Sequence, residues 1–172
     1  TYNSANGNGD INAYYVKPAK VTDKTSAVLV IHENRGLNPY IKDVARRVAK
    51  AGFIALAPDG LSSLGGYPGN DGDGKALQGK IDREKLLNDF FNGFEFLYNH
   101  QDTTKKIGAV GFCYGGGVCN ALAVAYPELS ASVPFYGSQA KAEDVPRIKA
   151  PLMLHFAELD ERINKGWPDY EA

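Results

Sequence analysis

The ten residues Gly108–Gly117, with the sequence GAVGFCYGGG, place a cysteine between a short apolar run and a run of glycines. Gly111–Gly115 has the form G-x-C-x-G. This is the pattern of a sharp strand-to-helix turn that presents a nucleophile, with sulfur in place of the serine oxygen. Such a turn needs small neighbours because the backbone approaches itself closely, and Gly111 and Gly115 supply them. The stretch therefore predicts a βα unit whose turn carries Cys113, with a buried structural cysteine as the alternative.

Apolar runs and helical periodicities alternate on both sides of this turn. Continuous apolar runs with β-branched residues, such as Ser26–His32 (SAVLVIH), are typical of strands buried on both faces of a sheet. Strands that alternate with helices indicate an α/β fold with a mainly parallel sheet and helices on both faces. The predicted strands are Asn12–Val16, Ser26–His32, Phe53–Ala57, Ile107–Phe112, Ser132–Tyr136 and Pro151–Phe156. The predicted helices are one that starts at Pro39 and stops at Gly52, one capped by Asp82, and Gly115–Tyr126.

Length and composition are those of one ordinary globular domain. The chain has 172 residues, of which 44% are hydrophobic and 23% are charged. Nineteen Lys and Arg against 20 Asp and Glu leave a net charge of −1. That balance lacks the basic surface by which proteins bind nucleic acid or anionic membranes, so we expect neither partner. The longest apolar runs are also far shorter than the ~20 residues that a membrane span needs.

The cysteines and the first residues bear on the cellular compartment. Two cysteines, Cys113 and Cys119, are too few for a disulfide framework. Free thiols favour a reducing compartment, so a cytoplasmic location is expected. The first ten residues, TYNSANGNGD, contain neither a signal peptide nor an initiating Met, which leaves an exported form of a longer precursor open.

Residues with reactive or polar groups follow each predicted strand directly. Because ligands of open α/β sheets bind beyond the carboxyl ends of the strands, these residues are expected to converge on one rim. Cys113 lies on that rim at the start of a helix, where the helix dipole favours the thiolate. The residues at or just after the ends of the strands include His32, Glu33, Asn34, Asp59, Cys113, Tyr114, Tyr136, Glu158 and Asp160.

The other members of a candidate catalytic site come from the same loops. The backbone N–H of Tyr114 is expected to point to the place where an oxyanion forms, with the N–H of Asn34 as the second donor. Asp160 follows the nucleophile in the chain, which is the order of α/β-hydrolases, so it is the candidate triad acid. Its neighbour Glu158 competes for that role, and the alternative for Asp160 is a turn or helix-cap aspartate. Cys119 lies inside the predicted helix and is expected in the core.

Four motifs resemble the dienelactone hydrolase (carboxymethylenebutenolidase) family, over the chain from Ser26 to Asp160. They are HENRGLN at 32–38, APDGL at 57–61, GFCYGGG at 111–117 and HFAELD at 155–160. The resemblance implies an α/β-hydrolase fold, no cofactor, and hydrolysis of a small-molecule lactone or carboxylic ester through a cysteine thiolate. It makes Cys113 the nucleophile, Asp160 the triad acid, and Glu33 a second acid that helps to generate the thiolate.

Glu33 has two interpretations. A carboxylate can accept a thiol proton locally, which agrees with the role that the resemblance implies. The alternative is a loop carboxylate paired with Arg35. The family also holds its substrate's carboxylate with arginines, whereas the loop GLSSLGGYPGN at 60–70 has none. Dienelactone itself is therefore not the expected substrate.

The catalytic histidine of the family, which should follow the triad acid, has no counterpart in this sequence. His100 lies at a predicted helix end and is expected in solvent, His155 is expected in the core, and His32 lies closest to the site but not at the triad position. We therefore expect residues 1–172 to form a single α/β-hydrolase domain, incomplete at the C-terminus. The competing function is a non-catalytic α/β-hydrolase-like protein that binds a small molecule or senses oxidants through Cys113.

The glycine-rich segment Gly60–Gly74 is expected to be a flexible lid or entrance loop. At its end, Gly69–Ala76 nearly fits the phosphate-binding pattern G-x-x-x-x-G-K-[ST]. Ala76 lacks the hydroxyl that binds Mg²⁺, however, and the two aspartates of the segment would repel phosphate. The three histidines are too scattered for a zinc site. The sequence therefore predicts neither a nucleotide site nor a metal site.

Overall fold

The structure, a computed structural model that describes residues 1–20 and 23–171, contains a central five-stranded sheet and a two-stranded hairpin. The hairpin consists of β1 (Tyr2–Ser4) and β2 (Gly9–Ile11). The central sheet consists of β3 (Ala13–Val16), β4 (Thr25–Ile31), β5 (Ile54–Pro58), β6 (Thr103–Phe112) and β7 (Ala131–Phe135). The strand order is β3-β5-β4-β6-β7, with β3 antiparallel to β5 and the other neighbours parallel.

The helices of the described residues confirm the predicted α/β class. They are α1 (Pro39–Lys50), α2 (Asp71–Gln78), α3 (Arg83–Asn99), α4 (Tyr114–Ala125), α5 (Glu161–Asn164) and α6 (Trp167–Glu171), with 3-10 turns at Ser62–Leu64 and Ala142–Arg147. None of the described helices is long and apolar enough to cross a membrane. Ala172, the last residue of the predicted domain, lies outside the described residues.

Helices cover both faces of the sheet, as the sequence predicts. On one face, Ile41 and Ala45 of α1 join Val30 of β4 in a buried cluster. On the opposite face, Phe90 of α3 and Leu122 of α4 join Leu29 in a larger cluster. Leu29 and Val30 point to opposite faces because successive side chains alternate along a strand. Burial from both sides explains why β4 is apolar almost throughout.

The first turn of α4 lies directly against the backbone of the sheet. A Cβ atom added at Gly111 would lie 2.1 Å from the carbonyl oxygen of Gly115, and one added at Gly115 would lie 2.4 Å from that of Ile31. On the other side of α4, a Cβ at Gly137 would lie 2.2 Å from the carbonyl carbon of Gly116. Only glycine fits at such separations, so these residues allow the close approach that the G-x-C-x-G pattern predicts.

The segment predicted as a strand at Pro151–Phe156 pairs with β7 only through isolated bridges. The interruption lies at Pro134 of β7, which has no N–H to donate to a continuous ladder. Side chains of this segment are open to solvent, because it lies at the edge of the described sheet. Met153 is 62% exposed, and His155 is also exposed, so the prediction of a core histidine is wrong. The ring of His155 stacks on Phe135, with 4.1 Å between the ring centroids.

The glycine-rich segment Gly60–Gly74 carries structure that the sequence did not predict. A 3-10 turn lies close to the start of this segment. The last residues of the segment belong to α2, whose N-terminus is capped by the side chain of Asn70. The buried carboxylate of Asp59 accepts hydrogen bonds from the N–H groups of Leu61 at 3.1 Å and Tyr67 at 2.9 Å. The expectation of a flexible lid or entrance loop is therefore wrong for residues 71–74, which belong to α2. The glycines of α2 lower its helix propensity, so the sequence did not predict a helix there.

Replacing Gly111 by alanine is expected to destabilise the fold, because overpacking of this kind costs about 1–3 kcal/mol or more. Gly108 is a matched control on the same strand, since a Cβ there would lie 3.5 Å from the nearest atom, the carbonyl oxygen of Ala131. Urea unfolding should show Gly108→Ala changing the free energy of unfolding by less than ~0.5 kcal/mol. Equal stabilities of the two variants would contradict the close packing of α4 on the sheet.

Candidate active site

Cys113 lies between the end of β6 and the start of α4, at the carboxyl edge of the sheet. Its backbone has φ 55° and ψ −111°, a region that residues other than glycine rarely adopt. Hydrogen bonds fix it on both sides. The Cys113 N–H donates to the carbonyl of Phe135 at 3.0 Å, and the Cys113 carbonyl accepts from the N–H of Gly117 at 3.2 Å. A strained residue that its surroundings hold in place is typical of a functional site.

The two thiols of the protein are in different environments. Cys113 is half-buried, whereas Cys119 is completely buried in the larger core cluster. Burial raises the pKa of the Cys119 thiol well above its ordinary value, so this group stays neutral. The prediction that Cys119 belongs to the core is confirmed.

A cavity of about 670 Å³ borders Cys113. Asn34 and Tyr114, the two residues predicted to supply oxyanion donors, line it together with Cys113 and Tyr136. The volume lies in the range of small-molecule sites, which is roughly 300–1,000 Å³. Apolar side chains of α3 and α4 also contribute to the wall; they include Leu87, Phe91, Val118, Ala121 and Val124.

Glu33 and Arg35 form a charged pair close to this cavity. The Glu33 side chain is 20% exposed, and its Oε2 lies 3.4 Å from Nε of Arg35. Nη1 of Arg35 donates to Oδ2 of Asp71, at the start of α2, at 3.1 Å. Asp71, then Glu33 and, less strongly, Cys113 raise the pKa of Arg35, so the guanidinium stays charged. The pairing of Glu33 with Arg35 is thus observed, and Arg35 lies within electrostatic range of both Glu33 and Cys113.

Tyr136, the first residue after β7, is a site residue to which the sequence assigned no role. It lines the cavity with Cys113, and its φ of 40° is rare for an aromatic residue. Burial, followed by the charge of Glu33 and the proximity of Tyr40 and Cys113, raises the pKa of its phenol. Its position at the end of a predicted strand was the one signal in the sequence. Its strained backbone could not be inferred from residue type.

Asp160 acts as a helix cap in the structure. Its Oδ1 accepts the N–H of Ile163 at 3.2 Å, and its Oδ2 lies 4.0 Å from Arg162. Within residues 1–20 and 23–171, no hydrogen bond or ion pair joins Asp160 to Cys113 or to a histidine. The neighbouring Glu158 is exposed. The helix-cap alternative is therefore observed, and the role of triad acid stays a prediction.

The histidines outside the C-terminal segment make structural contacts. His32 is completely buried, with its Nε2 accepting from the N–H of Gly60 at 3.0 Å and its Nδ1 donating to the carbonyl of Glu33 at 2.6 Å. Backbone groups thus occupy both ring nitrogens, and burial lowers the pKa of His32, so the ring is neutral. His100 follows α3, as predicted, but its ring lies between two aromatic rings and is not free in solvent.

The arrangement of the His, Cys, Asp and Glu side chains decides whether the protein could hold a metal ion. Across the described part of the chain, no three of these side chains cluster in a way that could hold a metal ion. Asp71, one of the two aspartates in the stretch that resembles a phosphate loop, is engaged by Arg35, by the phenol of Tyr67 at 2.9 Å and by Nδ2 of Asn38 at 3.2 Å. Through these contacts, Asp71 holds the start of α2 against the loop that carries Glu33.

Comparison with known proteins gives a consistent result. The model of the dienelactone hydrolase family matches residues 11–169. A protein of Escherichia coli (strain K12) assigned as a hydrolase fragment, YghX, is 71% identical over 82 residues, which cover 48% of this chain and 70% of that protein. The carboxymethylenebutenolidase homolog of Xenopus tropicalis is 33% identical over 155 residues, which cover 89% of this chain and 62% of that protein.

The fold comparison agrees with the sequence comparison. A crystal structure from Klebsiella pneumoniae subsp. pneumoniae MGH 78578, assigned as a dienelactone hydrolase, matches with a TM-score of 0.80. The two share 22% sequence identity, and the match covers 98% of this chain and 77% of the other. The α/β-hydrolase fold is thereby shown. The match spans 62% of a relative from Aquifex pyrophilus and 49% of one from Yersinia pestis.

Iodoacetamide is expected to alkylate Cys113 at neutral pH at least roughly tenfold faster than Cys119, because only the first thiol is accessible at a helix N-terminus. Peptide mapping of a time course measures both rates in one sample. In urea, where both thiols are exposed, the two rates should become similar. Equal or reversed rates in the native protein would contradict the environments described for the two thiols.

Proposed function

This chain belongs to the dienelactone hydrolase family, and we propose that it cleaves a lactone or carboxylic ester through the thiolate of Cys113. The observation that carries the proposal is the position of this residue. Cys113 has a strained backbone at the start of α4, is half-buried, and borders a cavity large enough for a small molecule. In this proposal the junction of β6 and α4 is a nucleophile elbow.

The first step is formation of the thiolate. Cys113 lies at the N-terminus of α4, where the helix dipole is positive, and within electrostatic range of the Arg35 guanidinium. Glu33, whose carboxylate lies 3.4 Å from Arg35, is proposed to accept the thiol proton. Arg35 then stabilises an anion on either side of the transfer: the carboxylate before it and the thiolate after it.

The second step is acyl transfer to sulfur. The thiolate of Cys113 attacks the carbonyl carbon, an S–C bond forms, and an electron pair moves to the carbonyl oxygen. The N–H groups of Tyr114 and Asn34 are proposed to stabilise this oxyanion. The C–O bond to the leaving group then breaks, and the departing alkoxide takes up the proton that Glu33 accepted, which gives the free alcohol and restores the Glu33 carboxylate. Water finally hydrolyses the thioester, which releases the carboxylic acid and restores the thiol. The scheme uses no cofactor.

Asp160 is proposed as the acid of a Cys-His-Asp triad, because it follows the segment that lies beside β7 at the edge that carries Cys113. Its capping contact with Ile163 is compatible with this role, since a second carboxylate oxygen is free of that contact. Triad hydrolysis also needs a histidine to activate water, and backbone groups occupy both ring nitrogens of His32. Thioester formation is therefore the step that the described residues support best.

The proposed substrate is a small ester or lactone with an apolar part. The apolar walls that α3 and α4 contribute, through residues such as Leu87 and Phe91, would pack against that part. Neither a nucleic acid nor a membrane takes part in this reaction. A cytoplasmic location remains a prediction from the free thiols.

A burst experiment tests the nucleophile directly. Mixing the protein with excess p-nitrophenyl acetate should release about one equivalent of p-nitrophenolate per protein in a fast phase, followed by a slower phase. Cys113→Ala should abolish the fast phase, because no sulfur is left to form the thioester. Stopped-flow absorbance measures the amplitude and the rate of both phases.

Cys119→Ala is the control for this experiment and should retain the burst, since Cys119 is completely buried. Circular dichroism verifies that both variants fold. A burst of undiminished amplitude from Cys113→Ala would reject Cys113 as the nucleophile. A wild-type protein without a burst, whose Cys113 forms a sulfenic acid with peroxide, would support the redox-sensing function instead.

A further inference from the structure

A second cavity lies at the opposite end of α3 from the candidate active site. Arg83, at the start of this helix, lines the cavity of that site, whereas Phe96 and Asn99, in the last turns of α3, line a separate surface cavity of about 620 Å³. A helix rises ~1.5 Å per residue, so the 17 residues of α3 place its two ends roughly 25 Å apart. Asn92 and, on β1, Asn3 also line the second cavity, which we call the amide groove after Asn3, Asn92 and Asn99.

Three polar residues form one face of the second half of α3. Asn92, Glu95 and Asn99 follow one another at spacings of three and four residues, which places them on the same side of the helix. Asparagine is a weak helix former, because its amide competes with the backbone for hydrogen bonds. Glu95 and Asn99 are exposed, so packing of the core does not require this face. Neither helix propensity nor burial therefore explains it, whereas recognition of a ligand does.

The three asparagines of the amide groove donate their side-chain N–H groups to the protein. The acceptors are Oδ1 of Asp10 for Asn3 at 3.1 Å, the carbonyl of Asn88 for Asn92 at 2.8 Å, and the carbonyl of Glu95 for Asn99 at 3.0 Å. Within residues 1–20 and 23–171, the Oδ1 atoms of these three asparagines accept no hydrogen bond. Oε1 of Glu95 accepts the phenol O–H of Tyr126 at 2.9 Å, which leaves Oε2 as a further acceptor. The groove therefore offers oxygen acceptors that the described protein groups do not use.

Aromatic rings lie beside these acceptors in the wall of the amide groove. The half-buried ring of Phe96 stacks on that of Tyr2, with 5.6 Å between the centroids and 26° between the planes. On its other side, the centroid of the His100 ring lies 5.2 Å from that of Phe96. The phenol of Tyr2 donates to the carbonyl of Asp89 at 2.6 Å, which fixes this ring against α3. All three rings line the groove, so its wall combines a preformed apolar surface with unused oxygen acceptors.

We propose that the amide groove binds a neutral carbohydrate. The C–H groups of a sugar ring would pack against the ring of Phe96. The hydroxyl groups of the sugar would donate to Oδ1 of Asn92 and Asn99 and to the carboxylate of Glu95. An apolar ligand would leave these acceptors without a partner, and an anion would be repelled by them. Of the described residues that line the groove, Glu95 alone is acidic, which favours a neutral ligand over a cation. The proposal is independent of the reaction at Cys113.

Nuclear magnetic resonance of the isotope-labelled protein tests the proposal, because the side-chain amide signals of asparagines report contacts with a ligand. Cellotetraose, xylotetraose and maltotetraose are titrated separately. We expect at least one of these sugars to shift the side-chain signals of Asn92 and Asn99 in a saturable manner, while signals of residues around Cys113 stay unchanged. Prior alkylation of Cys113 with iodoacetamide should leave the dissociation constant of the sugar unchanged, since the groove lies at the other end of α3.

Substitutions in the groove locate the binding site. Asn99→Ala removes an exposed acceptor and should weaken binding of the sugar roughly fivefold, the effect of one lost hydrogen bond. Phe96→Ala removes the ring and should weaken binding roughly threefold or more. Asn99→Ala provides the test if Phe96→Ala does not fold, because Asn99 is exposed. Asn12→Ala is the matched control and should bind as the wild type does, since Asn12 is exposed and lies between β2 and β3, outside the groove.

Four outcomes would overturn the proposal. The absence of saturable shifts with all three sugars would mean that the groove binds no carbohydrate. Shifts confined to residues around Cys113 would place the sugar in the other cavity. Equal affinities of Asn99→Ala and Asn12→Ala would mean that the acceptors of the groove take no part. Saturable shifts of the same signals by choline chloride, with displacement of the sugar, would identify a site for cations. The burst experiment at Cys113 decides the hydrolase proposal separately.

Discussion

The contact between the first turn of α4 and the backbone of the sheet is the constraint on which the rest of the site depends. Because Gly111 and Gly115 have no side chains, α4 can lie directly against the sheet. A single residue, Cys113, therefore separates the end of β6 from the start of α4. The short connection forces Cys113 into a strained backbone conformation with positive φ, which a hydrogen bond to the carbonyl of Phe135 stabilises. The sulfur of Cys113 is therefore presented at the N-terminus of α4, whereas Cys119, in the middle of the same helix, is packed in the core.

The charges around Cys113 follow from the loops that meet at the same edge of the sheet. The loop after β4 contributes Glu33 and Arg35, and Arg35 connects that loop to Asp71 of α2. One cation thus lies near two carboxylates and within electrostatic range of one thiol, and in the proposed mechanism it would stabilise the negative charge on either Glu33 or Cys113. Tyr136 adds a neutral donor from the loop after β7. A half-buried site of this composition is suited to proton transfer at a cysteine.

Much of the fold could be predicted, because strands buried on both faces have continuous apolar sequences and the glycines around Cys113 specify a tight turn. The structure of the glycine-rich segment could not be predicted, because tertiary contacts of Asp59 and Asp71 outweigh the low helix propensity of α2. The interrupted pairing beside β7 depends on the one missing N–H of Pro134, which pattern reasoning overlooked. At the site, the strain at Tyr136 has no signature in residue type.

The central claim is that the sulfur of Cys113 forms the covalent bond to substrate. Rapid acid quench of the reaction with p-nitrophenyl acetate, followed by digestion and mass spectrometry, identifies the acylated residue. The account predicts a single acetyl group, carried as a thioester by the peptide that contains Cys113. An unmodified Cys113, with the acetyl group on any other residue, would contradict it.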